Sequence, residues 1–156
     1  MCQRCCFTFH NADSGPRDEV NLMLRLYDMR REQRLRQARR WFLESFHPTA
    51  LDDKIKAYAQ GREEYVNIQM VISYWEMAAS IVNRGLINDE LFFENNGEAW
   101  VVWDRIRNFV PKSRLALNNP TMFLNLEEKY HRLEAWREKR APGSSAAPRR
   151  TMEQSP

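Results

Sequence analysis

The chain has 156 residues, which is enough for one domain and short of the roughly 200 that two ordinary domains need. Its 43% hydrophobic and 12% aromatic residues, with only 5 Gly and 7 Pro, exclude a collagen-like or low-complexity chain. The net charge of +3 is unevenly distributed: residues 1–40 carry +4, residues 41–128 carry −5 and residues 129–156 carry +4. Basic ends can contact nucleic acid or an acidic partner, and they can also neutralise the acidic middle within the fold, which we favour.

The N-terminal residues contain all three cysteines, Cys2, Cys5 and Cys6, so no disulfide framework can form inside the domain. His10 follows the Cys-x-x-Cys pair, but a zinc site needs a second pair of ligands, and we expect no metal and no cofactor. Residues 1–17 are predicted to be a flexible leader. No apolar signal core is visible, and the uncharged stretches are shorter than a membrane span, so we expect a cytoplasmic protein without a spanning helix.

A first long helix is predicted from Asp18 to about Phe46, where His47-Pro48 ends it. At 100° per residue its apolar side chains fall in one arc about 140° wide. The residues of this arc are Val20, Met23, Leu24, Tyr27, Leu35, Ala38, Trp41, Phe42 and Phe46. A short helical stretch is predicted for residues 51–60.

Residues 62–84 form the strongest predicted helix, apolar around most of its circumference and therefore expected at the centre of the fold. Gly85 is predicted to cap it in the left-handed conformation. Three further helices are predicted to follow, beginning near Asn88, Glu98 and Asn119-Pro120, the second ended by Pro111. No stretch alternates convincingly between apolar and polar residues. The fold class predicted is all-α: a bundle of about five or six helices in a single domain, residues 18–140, before a disordered tail, residues 141–156.

Glu76 lies at the edge of the narrow polar strip of the central helix, beside Trp75. A carboxylate there needs solvent or a partner, since an unpaired buried charge is unfavourable. Arg31 and Arg114 are the candidate partners in a buried polar pair. A general acid or base is the alternative role for Glu76, but no second catalytic group is placed beside it. We therefore favour a structural role and assign no catalytic residue.

One set of residues resembles a known family. It consists of Trp75-Glu76, Ala78-Ala79, Val82, Gly85-Leu86-Ile87, Leu91-Phe92-Phe93 and Trp103, with Ala38-Arg39-Arg40-Trp41 upstream. In order and spacing these residues are similar to the bacterial family called domain of unknown function 4760, over roughly residues 20–135. The resemblance implies a helical fold and carries no activity with it. Some members of that family resemble membrane-anchored proteins with an N-terminal spanning helix, and this chain shows no such segment.

Catalytic motifs are missing from the sequence: it has no glycine-rich phosphate loop, nucleophile elbow or His-Glu-x-x-His pattern. A basic face is predicted on the first helix, from Arg25, Arg36, Arg39 and Arg40. Such a face can track phosphates, although acids at in-helix pairing distances favour an ordinary solvated surface. We therefore predict a non-catalytic protein–protein interaction module with an unidentified protein partner. The alternative is a binder of nucleic acid or another acidic surface, and an enzyme comes third.

Overall fold

The computed structural model describes residues 15–47 and 62–143. In this part of the chain there are seven helices and no strands, which confirms the all-α prediction. The helices are α1 Pro16–Arg31, α2 Gln33–Ser45, α3 Glu63–Asn83, α4 Asp89–Asn95, α5 Glu98–Ile106, α6 Val110–Ala116 and α7 Leu124–Arg140. The predicted leader up to residue 14, the helical stretch 51–60 and the tail from residue 144 lie outside the described residues. No helix that the structure describes is long and apolar enough to cross a bilayer.

Helix α3 is the centre of the bundle, as its sequence predicts. It packs chiefly against α2 on one side and α7 on another, with α5 against a shorter stretch. Because it is covered from several directions, its buried side chains span an arc of about 160° of the helix, flanked by the half-buried Met70, Met77 and Ile81. The buried apolar residues of α3 are Ile68, Val71, Ile72, Tyr74, Trp75, Ala78, Ala79 and Val82.

Gly85 ends α3 in the predicted way. Its φ of +73° is in the left-handed region that glycine adopts without a steric penalty. The Gly85 N–H donates to the Val82 carbonyl and the Leu86 N–H donates to the Ile81 carbonyl. These are the two hydrogen bonds of a Schellman motif, which satisfies the carbonyls left free at a helix end. The chain then turns so that Ile87 is buried.

The prediction of one continuous helix from Asp18 to Phe46 is wrong. The chain leaves the helical region at Glu32, where φ is −51° and ψ is 139°, and starts a second helix. The Glu32 carboxylate accepts hydrogen bonds from the N–H groups of Arg34 at 2.9 Å and Leu35 at 2.8 Å. These bonds satisfy donors that have no partner inside α2, and they lower the pKa of Glu32 below its ordinary value.

This break divides the predicted apolar arc into two unlike halves. In α2, Leu35, Ala38 and Phe42 are buried, and Phe46 just beyond it is buried too. In α1, Val20, Leu24 and Tyr27 are instead 48%, 56% and 47% exposed. The rotational phase is lost at Glu32, so residues aligned on one long helix do not share a face of the folded protein. Leu26 is the residue that α1 buries.

The segment from residue 98 to 116 also differs from its prediction. Pro111 was expected to end a helix, but α5 already ends at Ile106, and Pro111 lies in the first turn of α6. Proline is tolerated there because the missing N–H would have no partner within the helix. The last helix begins at Leu124, a few residues after the predicted Asn119-Pro120, following Phe123 with its positive φ of 55°.

Candidate functional site

A largely buried charged pair joins α2 to the start of α5. The side chains of Arg39 and Glu98 are 17% and 13% exposed. Glu98 Oε1 accepts from Arg39 Nε at 2.7 Å and from Trp75 Nε1 at 3.1 Å, while Oε2 accepts from Arg39 Nη2. Arg39 Nη1 donates to the Arg30 carbonyl at 3.1 Å. One carboxylate thus binds a bidentate guanidinium and an indole, and connects α2, α3 and α5.

Arg30 extends this network towards the surface. Its Nη1 donates to Asn96 Oδ1 at 3.2 Å, and its guanidinium lies over the rings of Trp75 and Tyr27, 5.7 Å and 5.2 Å from their centroids. Asn96 is buried and donates in turn to the Phe92 carbonyl at 3.0 Å. The network thereby ties the end of α1 to α4.

Tyr74 contributes a buried hydroxyl beside this network. It donates to the Leu26 carbonyl at 2.7 Å. Burial raises the pKa of Tyr74 to about 12, against an opposing effect of the Arg30 and Arg39 charges, so the hydroxyl stays protonated near neutral pH. The groups of this network are hydrogen-bonded to one another and connect four of the helices.

Sequence reasoning missed Glu98 and placed Arg39 elsewhere. Arg39 was assigned to an outward basic face, whereas its guanidinium turns inward to Glu98. Trp75 in the family motif was the available signal, because a buried indole N–H needs an acceptor. Nothing in the sequence says that the acceptor is 23 residues further along the chain.

Glu76 binds the beginning of α7. Its Oε1 accepts from the Asn125 N–H at 3.1 Å and from Asn125 Nδ2 at 2.7 Å, and its Oε2 accepts from the Leu126 N–H at 2.8 Å. The residue at the N-cap of α7, Phe123, has no side chain that can accept these bonds. Glu76 therefore caps α7 from the neighbouring helix, and its negative charge favours that helix terminus.

The two arginines considered as partners of Glu76 lie elsewhere. Arg114 donates to the Met122 carbonyl at 2.8 Å and to Glu127 Oε2 at 2.7 Å. Arg31 is exposed, with its guanidinium 5.5 Å from the centroid of the Tyr27 ring. The structure therefore does not bring Glu76, Arg31 and Arg114 together. Backbone N–H groups at the start of α7 bind the Glu76 carboxylate in place of a positively charged side chain.

We expect Glu76→Ala to lower the free energy of unfolding by about 1–3 kcal/mol, because two helix-terminal N–H groups lose their acceptor. Hydrogen exchange should accelerate most at Asn125 and Leu126. Glu76→Gln is the matched variant: its amide oxygen can still accept one of these bonds, so a smaller loss is expected. Equal exchange rates at these two amides in Glu76→Ala and the parent protein would contradict the capping role.

Lys129 is a second buried charge, on α7 and 1% exposed. Its Nζ donates to Asp89 Oδ1 at 2.8 Å, and Arg132 binds the other oxygen of Asp89. Burial lowers the pKa of Lys129, while the hydrogen bond from its ammonium to Asp89 acts in the opposite direction. Sequence reasoning did not identify this pair, whose members lie 40 residues apart.

The predicted basic face retains three of its four arginines at the surface. Arg25 on α1 and Arg36 and Arg40 on α2 are exposed, whereas Arg39 belongs to the buried network. Arg40 is paired with Glu44 one turn later, at 3.1 Å. The break at Glu32 further separates Arg25 from the other two, so a single straight row of four cations is not formed.

A shallow apolar groove of about 230 Å³ runs between α1 and α4, and we call it the α1–α4 groove. Its lining residues are Val20, Met23, Leu24, Tyr27, Arg30, Leu91, Asn95 and Asn96. Its outer wall is the half-exposed row of Val20, Leu24 and Tyr27. No sequence signal marked this surface, because the same residues were predicted to face the core.

We searched the described residues for side chains that could bind a metal ion. Across residues 15–47 and 62–143, no group of three or more His, Cys, Asp or Glu side chains could hold a metal ion. The groove between α1 and α4 is lined by amide, guanidinium and apolar groups.

Comparison with known proteins agrees with the motif around Trp75. No curated protein and no solved structure matches the chain. The model of one family, described as Domain of unknown function (DUF4760), matches residues 19–133. That range runs from the first turns of α1 to Leu133 in α7, and includes the Arg39–Glu98 network, Glu76 and the α1–α4 groove. The chain therefore belongs to the DUF4760 family.

Proposed function

We propose that this protein is a non-catalytic protein–protein interaction module that docks through the α1–α4 groove. The observation that carries the proposal is the exposure of Val20, Leu24 and Tyr27, which are 48%, 56% and 47% exposed on one side of a single helix. Isolated surface apolar residues are common, but a contiguous apolar row beside a groove is typical of interaction sites.

The position of α1 supports this role. Helix α1 packs mainly on α2, and its contacts with the remaining helices are few. The apolar row is spaced at i, i+4 and i+7, the pattern by which one helix presents a face to another. Covering the row with a partner would remove apolar surface from water, which stabilises a complex by roughly 25 cal/mol per Å² before the entropic costs of association.

The polar groups of the fold support a non-catalytic role. Glu76, Glu98 and Lys129 are acid–base groups in or beside the core, and each is held by protein partners at 2.7–3.1 Å. A general acid or base needs a proton-transfer partner within reach in a substrate pocket. These three groups act instead as helix ties and a helix cap.

Leu24→Glu is expected to abolish partner binding, because it places a charge in the centre of the apolar row. Met29→Glu is the matched control: Met29 is on the same helix and is 48% exposed, but at 100° per residue it points about 140° away from Leu24. A photo-crosslinking amino acid at position 24 or 29 identifies the partner in host cells. We expect an adduct from position 24 only, and a purified adduct partner that binds Met29→Glu but not Leu24→Glu.

The outcome that contradicts the proposal is equally specific. Absence of adducts from position 24, or the same adducts from both positions, would remove the α1–α4 groove as a docking surface. Both substituted side chains are half-exposed, so we expect both variants to fold. Circular dichroism of the two variants checks this and excludes unfolding as the cause of lost binding.

Nucleic-acid binding is the alternative function, and we expect the protein to show little of it at about 150 mM salt, where separated surface charges are screened. The variant for this test changes Arg25, Arg36 and Arg40 to Gln and leaves Arg39 in its buried pair. Fluorescence anisotropy with labelled DNA and RNA measures the affinity over a range of salt concentrations. Sub-micromolar, salt-sensitive binding that this variant loses would make nucleic-acid binding the better function.

A further inference from the structure

We propose that the occupant of the α1–α4 groove is an amphipathic helix of a partner protein whose apolar face ends in a carboxylate, and that Arg30 and Arg31 bind this carboxylate. The inference rests on the proposed function and specifies the chemistry of the partner. Its basis is the juxtaposition of an apolar row with two guanidinium groups at one end of the same groove wall.

The length of the row indicates what fits against it. Val20, Leu24, Tyr27 and Arg31 follow one another at i, i+4, i+7 and i+11 along α1. At a rise of 1.5 Å per residue they extend over about 16 Å, or three helical turns. An occupant helix of about 12–15 residues matches this length. The groove beside the row, at about 230 Å³, has room for side chains of this helix but not for the helix itself.

The charge at the end of the row comes from two arginines that share one aromatic ring. The guanidinium groups of Arg30 and Arg31 lie 5.2 Å and 5.5 Å from the centroid of Tyr27. Among the described residues, neither arginine has a carboxylate within 4.0 Å, unlike Arg34, Arg39 and Arg40, which each have one. Arg30 uses its Nη1 on Asn96, which holds the group in place without neutralising it.

The acids around the groove form no ion pair with these two arginines. Asp28 is exposed on α1, about 40° round the helix from Leu24, on the side of the apolar row away from Met23 and Arg30. Among the described residues its carboxylate is not within 4.0 Å of either guanidinium group. Glu94 on α4 is paired with Arg140, at 3.3 Å. The surface therefore offers an apolar row with positive charge at one end, and an apolar helix with a carboxylate at the corresponding end is complementary to it.

Synthetic peptides test the charge and the apolar contact separately. The probe is a 15-residue helical peptide with Leu at i, i+4 and i+7 and Glu on the same face at i−3 and i+11, so that either orientation presents a carboxylate to the arginines. The control peptide has Gln at both Glu positions. We expect the Glu peptide to bind the full-length protein about tenfold more tightly than the Gln peptide, with NMR shift changes confined to α1 and α4.

Two single-arginine variants locate the effect. Arg31→Gln should reduce the preference for the Glu peptide to about twofold. Arg25→Gln removes the same charge from the same helix about 120° away from Arg31, and should leave the preference unchanged. Both side chains are exposed, so both variants are expected to fold.

Each outcome decides the inference. Equal binding of the two peptides, an equal effect of the two arginine variants, or absence of shift changes in α1 and α4 would overturn the acidic-helix partner. Self-association that buries the groove, detected by sedimentation and abolished by Leu24→Glu, would identify a second copy of the chain as the occupant and also overturn it. Failure of the proposed function is separate, since it appears as missing adducts from position 24 whatever the peptides do.

Discussion

Trp75→Ala is expected to lower the free energy of unfolding by about 3–5 kcal/mol, the range for a large aromatic side chain removed from a packed core. Trp75 is 0% exposed. Its ring meets Tyr74 at 5.0 Å and Phe92 at 6.4 Å between centroids, and the Arg30 guanidinium covers it. The substitution leaves a cavity at the centre of the bundle and takes the indole donor away from Glu98.

Urea denaturation followed by circular dichroism measures this loss. Trp75→Phe is the matched variant, because it keeps an aromatic ring in the core and removes the indole N–H; we expect a loss of about 1–3 kcal/mol. If Trp75→Ala unfolds at nearly the same urea concentration as the parent protein, Trp75 is not the centre of the core.

Glu98→Ala is expected to lower the free energy of unfolding by about 3–5 kcal/mol, because it leaves the Arg39 guanidinium enclosed without its counter-ion. The same change removes the acceptor of Trp75 Nε1. Glu44→Ala is the control, because it breaks the pair between Glu44 and Arg40 at the surface. The Arg40 side chain is 77% exposed and the Glu44 side chain 62% exposed, so we expect a loss of unfolding free energy below about 1 kcal/mol.

A double variant tests whether the loss in Glu98→Ala comes from the unpaired charge of Arg39. Replacing Arg39 by Met together with Glu98 by Leu removes both charges at once, and we expect it to be more stable than Glu98→Ala alone. Denaturation with urea compares the three variants with the parent protein. A loss in Glu98→Ala no larger than that in Glu44→Ala would show that the enclosed pair contributes no more than a surface pair.

Helix α3 could be predicted in detail because its information is local. Its apolar residues recur around most of the helix, which indicates burial on several sides, and Gly85 provides the left-handed residue that ends it. The motif from Trp75 to Phe93, together with Trp103 and the upstream Ala38–Trp41 segment, likewise indicated the family that the comparison shows. Each of these signals depends on neighbouring residues along the chain.

The break at Glu32 could not be predicted in this way. Residues 18–46 contain no proline or glycine, and their apolar periodicity continues through the break. The structure ends α1 there because the Glu32 carboxylate caps α2, and because α2 then buries Leu35, Ala38 and Phe42 against the core. The α1–α4 groove is a consequence of this break, so the candidate site was also beyond the reach of the sequence pattern.

The sequence by itself determined the helical class, the central position of α3 and its cap at Gly85, because periodicity and capping act over a few residues. Its motif residues resemble those of the DUF4760 family, to which the chain belongs. Only the tertiary structure decided which charges meet: Arg39 with Glu98 across 59 residues, Lys129 with Asp89 across 40, and Glu76 with the start of α7. These pairings depend on how helices far apart in the chain pack. Because each of these charges is partly removed from water, each must be paired or hydrogen-bonded, so the packing of the helices decides its partner.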